Sequence, residues 1–216
     1  MIRASNKEIV SSDAYATAAD FEQIFTQDMS GLYLLSFLLT GDGDKAEECF
    51  VAGIGESTQG NRVFKEWARS WARRTIIQSA IRLIAPRQQS PSATRKPVAA
   101  TTLDRLPLAL QAEVSAILEL SPFERFVFVM STLERYSDQD CSILLSCTRK
   151  DVSEARGRAL HQLGTLMKAQ RNAAAAGLED VVVREDPTAL FEFTIARYFG
   201  PLVGSGSVSQ DAALWP

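Results

Sequence analysis

Residues 121–163 constrain the fold most tightly, because apolar residues recur at helical spacing on both sides of a short polar turn. Phe123, Val127, Phe128 and Met130 mark one buried helix. Ser137 can cap the next, with Asp138 and Asp140 in its first turn, where the helix dipole favours acids. Ile143, Leu144 and Leu145 are expected to close that helix on the core. Ser146-Cys147-Thr148 makes the turn, and Thr148 can cap a second helix with Asp151 in a partial capping box. Val152 is its inward anchor, followed by Ala155, Ala159, Leu160 and Leu163. Arg149, Lys150, Ser153, Glu154, Arg156 and Gly157 are left facing outward. Helices meeting at so tight a turn can set the second one in a DNA major groove. Residues near its start then reach base edges, and flanking cations meet phosphates. A plain helical hairpin with a charged face would give the same pattern.

The rest of the chain is also periodic at helical spacing, so the expected class is all-α, with Val181-Val182-Val183 the one strand-like run. Phe21, Ile24 and Phe25, then Leu32, Leu35, Phe37 and Leu38, predict a helical hairpin broken near residues 28–30. Asp42 or Asp44 can cap the following helix. Residues 64–84 read as one long helix, with Phe64, Trp67, Ala68, Trp71, Ile76 and Ile77 on an apolar stripe facing the core and Arg69, Arg73 and Arg74 on the other side. Three prolines and no apolar period mark a linker. The expected organisation is two small helical domains, 15–85 and 106–172, joined by a Pro-rich linker at 86–105 and followed by an extension at 173–216. Gly177 is a candidate C-cap. A further helix is expected from Asp186-Pro187.

Charge is unevenly spread. The net −3 conceals +6 over residues 62–87 and +4 over residues 149–171, against −7 over residues 1–61 and −4 over residues 172–216. Two basic islands suit a polyanion partner, and equally suit two solvated helix faces. The acidic extension could mask a basic face. No apolar run reaches the roughly 18 residues that span a bilayer, so no membrane insertion is expected, and the N-terminus lacks a signal-peptide pattern. Cys49, Cys141 and Cys147 have no metal-ligand spacing, and their odd number argues against a disulfide framework, which suggests a reducing cytoplasm. His161 is the one histidine. No phosphate-binding glycine loop or nucleophile–base pairing is visible, so neither an enzyme nor a cofactor is expected.

Two blocks carry a family resemblance. Leu120-Ser121-Pro122-Phe123-Glu124-Arg125, followed by an apolar run, resembles the opening of region 4 of bacterial RNA polymerase sigma factors. Residues 136–145 resemble its first motif helix. Val152 and Arg158-Ala159-Leu160-His161-Gln162-Leu163 resemble its recognition helix. Residues 32–48, with the Gly41-Asp42-Gly43-Asp44 turn before Ala46-Glu47-Glu48, are similar to the start of region 2. Residues 64–74 are similar to its promoter-binding helix. The blocks lie in the right order and cover roughly 130 residues. The chain thus resembles a sigma factor of the extracytoplasmic-function type with a divergent region 2.

That resemblance implies a transcription initiation protein that binds core RNA polymerase, through the β′ clamp helices and β flap, and promoter DNA. An anti-sigma protein is a further implied partner. Arg149, Lys150, Ser153, Glu154, Arg156 and Gly157 would read the −35 element. Arg62, Lys65, Arg69, Arg73 and Arg74 would take the opened −10 element, and Glu47, Glu48 and Val51 would touch polymerase. The chain departs from the family at Val51, where glutamine is usual, and at Gly53 and Gly55, where a bulky pair is usual. Two glycines weaken a helix by about 1 kcal/mol each. Ser153 and Ala155 occupy positions often filled by lysine or arginine. The alternative is a degenerate sigma-like DNA-binding regulator, or an interaction module that supports no initiation.

Overall fold

A computed structural model describes residues 14–59, 62–87 and 108–175. Helices account for nearly all of it: α1 (Ala18–Gln27), α2 (Met29–Thr40), α3 (Gly43–Thr58), a 3₁₀ turn (Lys65–Trp67), α4 (Ala68–Ile84), α5 (Leu108–Leu118), α6 (Pro122–Phe128), α7 (Asp138–Leu144) and α8 (Arg149–Ala175). The π-helical turn Val129–Leu133 extends α6. Among the described residues β-pairing is confined to one bridge, Tyr15 with Phe64. The Val181 run, the expected helix at 186–187, Gly177, most of the linker and nearly all of the extension lie outside the described residues.

Side-chain caps set most of the boundaries. Thr17 and Asp20 form a reciprocal capping box at α1, and Asp42 accepts from the backbone of Asp44 and Lys45 at α3. Ser121 caps α6 with Pro122 at the first helical position, where its missing N–H costs nothing. The α1–α2 break falls at Asp28. Helix α2 ends at Gly41, whose φ of 70° is the left-handed conformation that glycine adopts without steric cost.

The core is continuous across both blocks. One cluster of buried apolar residues runs from Phe25 through α2, α3 and α4 into α5, α6 and α8, ending at Leu163. Helix α2 packs on α3 and α4 and meets α5 and α6. Hydrogen bonds tie the halves as well. Arg125 on α6 donates to the carbonyls of Leu39 and Thr40, both at 3.2 Å, satisfying the C-terminal end of α2.

Several expected orientations are corrected by the packing. Trp67 is 48% exposed instead of facing the core. It precedes α4 in the 3₁₀ turn, which shifts it off the phase of the apolar stripe. Ile143 is 63% exposed and Leu160 36%. Helix α7 is only 7 residues long and turns Cys141 and Leu145 inward in place of Ile143, and on α8 Ala159 faces the core beside Leu160. Arg73, expected opposite the apolar stripe, is buried at 7%. It shares a face with Ile77 and Ala80, four and seven residues on, and the second block covers that face.

Candidate nucleic-acid interface

The α7–turn–α8 unit is built from local chemistry. Ser137 accepts from the Asp140 amide and opens α7. After Leu144 the chain reverses through Leu145, Ser146 and Cys147, and the Cys147 amide donates to the Ser142 carbonyl at 3.0 Å. Thr148 then caps α8: its hydroxyl accepts from the Asp151 amide at 3.2 Å while Asp151 Oδ2 accepts from the Thr148 amide at 2.9 Å. Together these bonds fix the angle at which α8 leaves the turn. Ser146 holds a φ of 52°, a left-handed conformation costing a residue with a Cβ about 1–2 kcal/mol. Ser146→Gly is therefore expected to raise stability by about 0.5–1 kcal/mol, the relief being partly offset by glycine's greater chain entropy, as read from urea unfolding.

The inner face of α8 is apolar and closed, with Val152, Ala155 and Ala159 at 0% exposure and Leu163 at 4%. Its outer face presents Arg149, Lys150, Ser153, Glu154 and Gly157 together, all exposed over the first turns. Lys150 and Glu154 pair along the helix at 3.8 Å with both side chains more than half exposed, a contact that solvent screening makes weak. Arg156 stands apart from this group. It is half-buried and bonds both Asp138 oxygens, bracing α8 against the start of α7. Arg158 pairs with Glu124 of α6 at 2.7 Å. The face therefore offers two forward cations, a hydroxyl and a carboxylate, with a glycine leaving room behind them. A carboxylate there can accept from cytosine N4 or repel phosphate.

In the first block the expected site residues separate. Glu47, Glu48 and Val51 lie together on the outer side of α3, with Val51 59% exposed. Lys65 and Arg69 are exposed but lean on Asp20 at 3.8 Å and Asp28 at 3.6 Å. Arg62 lies over the Tyr15 ring at 5.9 Å, and Arg74 is half-buried. Arg73 is not an outward cation. Its Nε and Nη2 donate to the two Glu134 oxygens, each at 2.8 Å, and its Nη1 reaches Asp28 at 3.1 Å. Burial opposes the charge on Arg73, but its bonds to Glu134 and the charges of Glu134 and Asp28 outweigh it and push its pKa up. It stays a cation committed to its partners.

Sequence reasoning missed the aromatic surface beside Arg62. Tyr15 stacks on Phe64 at 4.8 Å, and Phe64 meets Trp67 edge-on at 5.3 Å. Phe64 and Trp67 were visible as neighbours, but Tyr15 reaches them only through the chain reversal that bonds the Ala16 amide to the Val63 carbonyl.

Among the described residues no cluster of His, Cys, Asp or Glu could hold a metal ion, and no helix is long and apolar enough to cross a membrane. Cys49 and Cys141 are buried free thiols, which burial pushes up to about 11 and about 12. Cys147 is half-buried, and its thiol is raised for the same reason. No family model matches the chain, and neither does any curated protein or solved structure.

Proposed function

We propose that the chain is a sigma factor-like transcription initiation protein that binds core RNA polymerase and reads duplex promoter DNA with α8. The observation that carries this reading is the rigid turn before α8. It leaves Arg149, Lys150, Ser153, Glu154 and Gly157 exposed on one face while Val152, Ala155 and Ala159 lock the opposite face into the core. Such an arrangement puts side chains near a helix start within reach of base edges. The outer side of α3, with Glu47, Glu48 and Val51, is the surface assigned to polymerase. An anti-sigma protein would be a further partner, and the expected compartment is the cytoplasm.

A second reading keeps DNA binding and drops initiation. It is favoured by the burial of Arg73 and by the acidic partners of Lys65 and Arg69, which leave the −10 role with few unengaged cations. Pull-down of core polymerase combined with run-off transcription separates the two. Polymerase binding with promoter-specific transcripts supports initiation, while DNA binding without polymerase binding supports the regulator.

Substitutions on α8 test the DNA face itself. Arg149→Ala or Lys150→Ala is expected to weaken binding similarly for all sequences and to reduce the slope of log affinity against log salt by about 1. Glu154→Ala is expected to change which sequence is preferred. Unchanged preference in that variant would remove the helix from the groove.

A further inference from the structure

The described helices form one body with α2 at its centre. Gly31, Leu32 and residues 34–40 are buried on all sides of that helix, with α3 and α4 packed on it and α5 and α6 meeting it as well. A helix apolar all round is stable only while covered, so moving the second block away would expose part of α2 to water. Two polar braces cross the same boundary. The Arg73–Glu134 pair is bidentate, with the Glu134 side chain 3% exposed and the Arg73 side chain 9%. Arg125, 7% exposed, donates to the last carbonyls of α2, and Gly41 leaves the space for its guanidinium.

Most cations of both basic regions stay exposed in this closed body, Lys65, Arg69 and Arg82 of the first among them, but Arg73 does not. The outer face of α8 is fully accessible, so duplex could reach Arg149 and Lys150 without any opening. Arg73 is inaccessible, because Glu134 already supplies the bidentate anionic partner that a phosphate would offer. Size adds a second argument. A compact body of roughly 140 residues has a radius of gyration near 14 Å and a diameter of about 40 Å. Elements named −35 and −10 lie about 25 base pairs apart, roughly 85 Å of duplex at about 3.4 Å per pair.

We infer that the protein engages duplex DNA as this closed body, through α8, and reads one promoter element rather than two, with Glu134 keeping Arg73 from nucleic acid. The inference rests on the reading of α8 as a DNA-binding helix and narrows what the whole chain does with it.

The test uses the full chain and a duplex selected by it from a random-sequence pool. Hydroxyl-radical footprinting is expected to show a single protected stretch of about one helical turn, roughly 10 base pairs, with the protein's radius of gyration by contrast-matched scattering the same free and bound. Two protected stretches about 25 base pairs apart, or expansion on binding, would overturn the inference while leaving α8 as the DNA helix. Failure to recover any duplex would overturn the reading of α8 and the inference with it. A second measurement does not depend on DNA recognition. In Glu134→Gln, amide exchange in α4 and α6 is expected to rise together, and affinity for a mixed-sequence single-stranded oligonucleotide to stay within about twofold of the wild type. Independent exchange of α4 and α6, or a gain in single-strand affinity of about tenfold or more, would show that the blocks part and that Glu134 only guards a working site.

Discussion

Gly53→Val is expected to destabilise the protein by about 2–3 kcal/mol through overpacking, while Gly55→Ala, two residues further along α3, is expected to stabilise it by up to about 1 kcal/mol. A Cβ at Gly53 would lie 2.7 Å from Cγ1 of Ile76 and 3.5 Å from its Cα. Ile76 is fully buried in α4 and cannot swing aside. Valine would therefore force α3 and α4 apart, and these two helices share one of the most extensive contacts in the fold. A Cβ at Gly55 meets nothing within 4 Å, so alanine there changes only helix propensity and chain entropy. Urea unfolding followed by circular dichroism reads both effects. Equal shifts of the same sign would show that neither glycine has a packing role. Residues 53 and 55 look alike in sequence, as two helix-weakening departures from the family's bulky pair. The close approach of Ile76 makes one of them a packing requirement.

Phe126→Ala is expected to cost about 3–5 kcal/mol, the range for removing a fully buried phenyl ring, and to lower the melting temperature by roughly 10 °C in a chain of this size. Phe126 is 0% exposed on α6 and belongs to the cluster that also contains Leu35, Ile76 and Val152. Because that cluster runs through both blocks, the loss is expected in one transition, with helix content and tryptophan fluorescence falling together. Trp67 and Trp71 report on the first block from a substitution in the second. Non-coincident transitions would mean that the two blocks hold separate cores.

Much of the helical plan was legible in the sequence, because capping and periodicity are short-range effects. Thr148 with Asp151, Ser137 with Asp140, and Asp42 at α3 each bond within three residues of themselves, so their residue types alone announce a helix start. Val152, Ala155, Ala159 and Leu163 fall on one side of α8 for the same reason. The outward group at the start of α8 followed from them, and the structure places Arg149, Lys150, Ser153, Glu154 and Gly157 on one exposed face. Arg156 had the right phase but was drawn to Asp138, 18 residues away. Trp67 failed differently: its helical spacing from Phe64 and Trp71 suggested core, and the 3₁₀ turn set it outside.

The sequence by itself determined that the described chain is helical, where most of its helices begin, and that α7 and α8 meet at a tight turn. Those properties depend on hydrogen bonds and side-chain spacing within a few residues. Only the tertiary structure decided which charges remain available. Arg73 and Glu134 are 61 residues apart, and nothing local to either predicts a bidentate pair. Helical periodicity defines faces in the frame of one helix, whereas burial depends on what other helices cover. The continuous core through α2 brought the second block over the Arg73 face and left the α8 face open, so Arg73 became a buried brace while Lys65, Arg69 and the cations at the start of α8 stayed on the surface.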